Sequence, residues 1–411
     1  MVKAAALYIV IVISLLIAVI SASLLTVAFY YRLEVQKKAR MDKLLENVQS
    51  GTAIMLSEGF TKYDEELILD LYGDEKDSVI LSKTKWGVFD QFALKTFELK
   101  DTIKRSFFSG TIFTDQNAIY LADEDRPISV SGKTTITGNG QLPKAGLKQA
   151  YVDGTPYLGK EMIYGTISDS GRDLPPLDET AIKKIRLYLD SSGGLDFNIK
   201  DSVSNSFQNK ELIYHLADLQ KIGAVKVSGK IILISDTTIN INADTRLEDV
   251  QVYAPAIVVE SGFKGSCQLF ATDSIAIGKD CVFEYPSFAG VFKPEDGKMQ
   301  SKVSLGEGSK FSGILLSYEN KRSDLQTMVS LGKNCLVNGE IYATGYIKLE
   351  RDITIQGKVS AKRFMLQTPQ TLYENYLIDL VLNRKILSKY YLSSTIFKRE
   401  KQEQKILKWL H

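Results

Sequence analysis

"SCQLFATDSIAIGKDC", residues 266–281, and "GEIYATGYIKLERDI", residues 339–353, share the pattern that decides the fold. With Leu269 set on Ile341, both read apolar, aromatic, Ala, Thr, and two branched apolar residues follow a few places on. The offset is 72 residues, four times 18. From residue 250 onward the repeat can be written out. A first apolar phrase begins at Val252, Leu269, Leu315, Ile341 and Val359, and a second at Ile257, Ile275, Val303, Val329, Ile347 and Phe364. A further apolar position follows at Phe263, Cys281, Phe311, Cys335 and Ile353, and Gly265, Gly313, Gly339 and Gly357 each precede a new unit. Three short strands per unit, joined by tight turns, is the arithmetic of a parallel β-helix of about 18 residues per turn.

Two units are longer, and their extra residues, "KPEDGKMQ" (293–300) and "SYENKRSDLQT" (317–327), fall between the first and second phrases both times. A solenoid accepts insertions at one corner, where a loop leaves the stack. Some eight turns are expected between 225 and 366. The repeat also assigns two of the three cysteines. Cys281 and Cys335 share the slot of Phe263, Phe311 and Ile353, so they are expected to point inward as small apolar residues.

A strand–Ser–Gly–Lys–strand phrase recurs in "PISVSGKTTI" (127–136) and "VKVSGKIIL" (225–233), and more loosely in "ITIQGKVSA" (353–361). This makes 127–150 a first β-helix turn, separated from 223–367 by an inserted helical segment, 151–222. Within that insertion "LPPLDETAIKKIRLYL" and "NKELIYHLADLQKIG" both read as helices, the second stopping at Gly223. Residues 58–126 give short β-like runs and read as a small β-rich domain. Residues 368–411 form a C-terminal cap. Its last stretch, "FKREKQEQKILKWLH", reads as a solvated terminal cap, with a short interfacial helix as the alternative.

From Ala4 to Tyr31 no residue is charged. That run exceeds the roughly 20 residues that cross a bilayer core of about 30 Å. A cleaved signal peptide has an apolar region of only about 7–15 residues, so a retained transmembrane helix is expected. "RLEVQKKARMDKLLENVQSGTAIML" continues it without Pro, with Leu33, Val35, Met41, Leu44, Leu45 and Val48 at roughly helical spacing. Residues 1–57 therefore read as one transmembrane and neck helix. Only Lys3 precedes the span, whereas Arg32, Lys37, Lys38, Arg40 and Lys43 follow it, so the positive-inside rule places the body in the cytoplasm.

The short basic start, "ALYIVIVISLLIAVISASLL" and the amphipathic extension resemble the N-terminal helix of type IV pilin-like proteins. Within that class they are most similar to minor pilins and to the large minor pseudopilin of type II secretion. The resemblance spans about 55 residues. The Glu usual at the fifth position is absent, and Lys3 rather than Gly precedes Ala4. It implies an N-in helix that packs with pilin-like subunits or an assembly platform, and a body outside the inner membrane. That implication is preferred here over the charge count. The repeat in turn resembles the bactofilin-like parallel β-helix, which implies a polymerising, cytoplasm-facing scaffold as the rival arrangement.

Little in the sequence points to chemistry. There are two histidines, His215 and His411, and Lys+Arg (51) nearly balance Asp+Glu (49), so no global field argues for nucleic acid. No P-loop, CxxC, HExxH or G-x-S-x-G is present. A polysaccharide-cleaving β-helix needs carboxylates at matching positions on successive turns. The candidates Asp244, Asp249, Asp273, Asp280 and Asp352 do not supply such a pair. Asp280 and Asp352 share a slot four units apart. The expectation is a mainly β, single-pass, non-enzymatic cell-envelope protein with no catalytic, cofactor or metal residues. Its expected partners are membrane lipid, proteins met through the N-terminal helix, and further copies of itself, with no nucleic acid. A surface polysaccharide-binding β-helix is a second rival.

Overall fold

A computed structural model of the chain describes residues 2–73, 77–191, 193–196, 202–216, 221–398 and 403–410. The chain divides into two compact units: residues 1–83 with 92–105, and residues 84–91 with 106–411.

In the first unit, helix α1 (Val2–Leu56) runs unbroken for 55 residues, as the absence of Pro allows. Its last four turns bury Leu44, Asn47, Val48, Gly51 and Met55, positions on one helical face. The strand Glu66–Leu69 pairs antiparallel with residues 79–82, and Val79, Leu81, Phe92 and Leu94 complete this small core.

The second unit is a parallel β-helix. Inward positions alternate with outward ones along each strand, so residues two apart fill the same lumen. Val252, Leu269, Ala289, Leu315, Ile341 and Val359 make one inward column and are all buried. Along the first face the layers begin at Ser202, Lys226, Arg246, Lys264, Val282, Lys310, Leu336, Ile353, Leu380, Thr135 and Ile163, which makes eleven. Ten steps of roughly 4.8 Å give a stack about 48 Å long.

Seven of these layers lie between 226 and 367, one fewer than the sequence arithmetic gives. The reason is the two insertions. The 72-residue offset spans three layers, because the strand starts Lys264, Val282, Lys310 and Leu336 are 18, 28 and 26 residues apart. Both loops leave the stack at the same corner, between Val282–Phe292 and Lys302–Leu305, and between Lys310–Tyr318 and Met328–Leu331.

Residues 128–142 are not the turn before 225. They stack at the opposite end, beyond Ile353–Gln367, where Thr135–Thr137 follows Leu380–Asn383 in parallel register. The ninth layer is composite. Tyr376–Ile378 and Leu380–Asn383 supply two of its strands, and Asn117–Leu121 supplies the third, on Val359–Ala361. The chain then forms the tenth layer from Ile128–Ser131, Thr135–Thr137 and Asn139–Leu142. The eleventh consists of Leu147–Gln149, Ile163–Tyr164 and Ile167–Asp169.

From there the chain returns along the outside of the second face, the one that carries the inward column Val252 to Val359. Tyr120 donates to Asp173 O and Tyr342 to Pro175 O, Arg186 reaches Lys293 O, and the Tyr188 ring lies 5.1 Å from Tyr253. These contacts step from the ninth layer to the third. Helix α2 (Glu179–Leu189) rides on this path, capped by Asp178, whose carboxylate accepts from Thr180 N. Its Ile182 and Ile185 join Trp86, Phe89, Phe108 and Ile396 over the outward Tyr253, Phe270, Leu316 and Tyr342, forming a second apolar core outside the lumen.

In the other expected helix, 209–223, the described residues form the strands Leu212–His215 and Lys221–Ile222 instead. Leu212–His215 pairs in parallel with Ile231–Ile234, Leu212 and Tyr214 face the lumen core, and Ile213 faces the outer one. A ready sheet edge with matching alternation overrides helical spacing. Residues 217–220 of that stretch lie outside the described residues. Gly223 is no helix stop, and Ala224 beside it takes the left-handed turn. In the final stretch, whose residues 399–402 and 411 lie outside the described residues, Gln404–Leu410 is not helix but a strand antiparallel to residues 106–111.

Candidate functional site: the membrane-length helix

The first half of α1 is the one described helix long and apolar enough to cross a membrane. Its 28 uncharged residues, 4 to 31, rise about 42 Å. From Leu7 to Tyr31 the large apolar side chains stand exposed, Leu25 at 72% and Tyr31 at 72%. Three of the hydroxyls on it are satisfied internally. Ser14, Ser23 and Thr26 each donate at 2.8 Å to the carbonyl four residues back, at Val10, Val19 and Ala22. That is what a hydrocarbon solvent requires of a hydroxyl.

Below the uncharged run the helix changes character within three turns. Arg32, Lys37 and Lys38 are exposed. Arg40 then pairs with Asp101 at 2.9 Å, and Lys43 with the fully buried Asp77 at 3.4 Å. Asn47, also fully buried, donates to the same Asp77 at 2.5 Å. The Asn47 Oδ1 and Asp77 Oδ1 atoms are buried without a hydrogen-bond partner. This polar knot fixes the register of α1 against the strand at Ser78, since either group alone would be costly to bury. The sequence carries a signal for it, a lone Asn on an otherwise apolar face, but nothing that names its partner.

The candidate acids are dispersed. Asp280 and Asp352 do share a structural slot, the left-handed residue at one corner of the solenoid (φ +54° and +60°), a slot also held by Asn334 and Gly308. They recur because Asp, Asn and Gly tolerate that conformation. They lie three layers apart, about 14 Å by the layer spacing. Asp244 accepts from Ala224 N at another turn. Asp249 is buried beside Lys408 at 2.7 Å; burial pushes its carboxyl upward, partly offset by that ammonium. His215 meets Asp236 at 3.1 Å, and His411 lies outside the described residues.

Cys267, Cys281 and Cys335 are unpaired and buried in the lumen core. Burial pushes the thiol of Cys335 up to about 11, and raises the other two as well. A groove of about 820 Å³ runs outside layers seven to ten, but its polar groups serve one another. Lys358 pairs with Asp115 at 2.5 Å, Asn117 donates to Gln141, and Glu340 accepts from Tyr391 and Ser393. Among the described residues no group of three or more His, Cys, Asp or Glu could hold a metal ion.

No protein-family model and no curated protein matches the chain. Among solved structures, the competence-associated pilin ComZ from Thermus thermophilus is similar at 9% identity and a TM-score of 0.24, over 90% of this chain and 95% of that one. By its own elements and strand pairing the chain is a mainly β protein with a long apolar N-terminal helix and a parallel β-helix body.

Proposed function

We propose that the protein is a membrane-anchored structural component of a bacterial cell-envelope assembly, a pilin-like or pseudopilin-like part of a secretion or pilus system. The observation that carries this reading is α1 itself. A membrane-length exposed segment passes without a break into a neck whose register is fixed by Asp77 and Asp101. A helix so built transmits position from the membrane to the folded part. In this reading the work is structural rather than catalytic: the residues that repeat with the solenoid are packing residues. The body stands outside the cytoplasm, and the apolar half of α1 meets lipid and the helices of partner subunits.

Two measurements test it. Alkaline carbonate washing should leave the full chain in the membrane pellet; release overturns the anchor. Fusing alkaline phosphatase or green fluorescent protein after His411 should give phosphatase activity and no fluorescence. The reverse pattern overturns the extracytoplasmic placement and favours the cytoplasmic scaffold.

A further inference from the structure

The register of the solenoid places like charges on top of one another on its first face. Ser202 pairs with Lys226, and Lys226 with Arg246. The pairing of Glu248 with Ser266, carried two residues back, sets Arg246 beside Lys264. Lys264 pairs with Val282, Val282 with Lys310, and Lys310 with Leu336. One outward column therefore carries Lys226, Arg246, Lys264 and Lys310 in five successive layers, all four exposed. At roughly 4.8 Å per layer the column is about 19 Å long.

Like charges directly opposite across strands are destabilising. Ser202 and Thr354 occupy the same column, so an uncharged residue fits it. Among the described residues none of the four cations has a carboxylate within ion-pair distance. Arg246 donates only to the carbonyls of Ala243 and Thr245. Two cations outside the column are paired: Lys221 meets Glu260 at 3.2 Å, and Lys279 meets Glu307 at 2.9 Å. Interlayer ion pairs are thus available to this fold, and the four cations of this row do not use them.

We propose that this column binds a linear anionic polysaccharide lying along the solenoid axis. A polymer with a carboxylate at each sugar presents charge at intervals comparable to the layer spacing. The neighbouring outward column supplies groups for sugar hydroxyls, with Ser228, Ser312 and Asn338 half-buried. Two acids interrupt that column: Glu248, drawn to Lys408 at 3.6 Å, and Glu284 beside Val282 in the fifth layer. Neither column carries an aromatic ring on which a nucleic-acid base could stack, which favours the polysaccharide over single-stranded nucleic acid.

The test uses the full chain in detergent micelles, with polygalacturonate as probe and neutral dextran as control. Polygalacturonate should bind, and binding should weaken at least tenfold between about 50 and 200 mM salt, as counterion release requires. The triple variant Lys226→Gln/Arg246→Gln/Lys264→Gln should lose at least tenfold in affinity. Lys221→Gln/Lys279→Gln, which removes paired cations, should bind as the parent does. An unchanged melting temperature in the triple variant shows that the solenoid is intact. If that variant melts early, Lys264→Gln alone must still weaken binding. Absence of binding, or equal loss in both multiple variants, overturns the proposal. Binding of duplex DNA or of phosphatidylglycerol vesicles without polygalacturonate overturns the ligand class.

Discussion

Replacing Gly339 by Ala tests the solenoid reading at its tightest point. Gly313, Gly339 and Gly357 stack at the corner between the first and second faces, with φ of +142°, +144° and +155°. A Cβ on Gly339 would lie 2.0 Å from the carbonyl oxygen of Gly313 in the layer below. An L-residue held in this glycine-only region costs about 1–3 kcal/mol. Relieving the contact needs a shift of more than 1 Å, which breaks cross-layer hydrogen bonds worth about 1 kcal/mol each. The expected loss is about 3–5 kcal/mol. With an unfolding entropy near 2.1 cal/mol/K per residue over roughly 300 residues, 3 kcal/mol lowers the melting temperature by about 5 °C. Thermal unfolding of the full chain in detergent, followed by circular dichroism, reads this directly. The control is Gly262, whose φ is +85° and whose Cβ would meet nothing within 4 Å. Asp280, Asn334 and Asp352 hold the equivalent corner in other layers, so Gly262→Asn should shift melting by less than about 1 °C. Equal effects at Gly339 and Gly262 would refute the stacked-corner geometry.

The remaining predictions concern ionisable groups. Burial opposes the charge on Glu124, but the Arg363 guanidinium that donates to it, with Arg322 at 3.0 Å and Lys362, holds its carboxyl below the usual range. A lowered carboxylate contributes stability above its unfolded value of about 4.3 that is lost as pH falls through the folded value. Glu124→Gln should therefore flatten the acid limb of the stability curve and cost about 1–3 kcal/mol at neutral pH, seen by denaturant titration. In the neck, Asn47→Leu should destabilise by about 1–3 kcal/mol, while Asn47→Leu/Asp77→Leu should cost less than the sum of the single changes, as a double-mutant cycle would show. The thiol of Cys335, raised from 9.0 to about 11, should form about a hundredfold less thiolate at pH 8 than an ordinary thiol. Maleimide should consequently label the native protein only on unfolding, and fast native-state labelling would contradict the inward placement. With those thiols protected, a cysteine placed by Leu16→Cys should cross-link in membranes if α1 packs against its own kind, and stay monomeric if it does not.

Legibility followed the range of the interactions. Phe263, Cys281, Phe311 and Cys335 were readable because the lumen imposes the same demand once per layer, and the demand appears in sequence as a period. The two insertions were readable for the same reason, although they made three layers look like four. The phrase Ser-Gly-Lys misled because one local geometry serves two corners. Gly229 and Gly357 open onto the second face, while Gly132 follows Ile128–Ser131 on the third. Neither the pairing of Asn117–Leu121 with Val359–Ala361 nor that of Asn47 with Asp77 leaves a periodic trace, since each occurs once. The stretch 209–223 failed for a related reason. Its apolar spacing satisfies both helix and strand, and the waiting edge of Ile231–Ile234 decided between them.

The composite ninth layer says why a solenoid was closed out of order. A stack grown only from neighbouring turns can fray from its last turn, because each layer is held mainly by the one before it. Here the layer after Ile353–Gln367 needs strands from residues 117–121 and from residues 376–383 together. Arg384 ties them by donating to the carbonyls of Phe113 and Asp115, and Lys358 holds the Asp115 carboxylate. The far end of the stack therefore cannot open without releasing both segments, and residues 117–121 are joined through α2 to the first layers. Closing a loop of some 240 residues costs little more than closing a short one, since the entropy grows only with the logarithm of length. The penalty falls instead on folding rate, because contacts so distant in sequence form slowly. The body thus trades fast assembly for resistance to end-fraying.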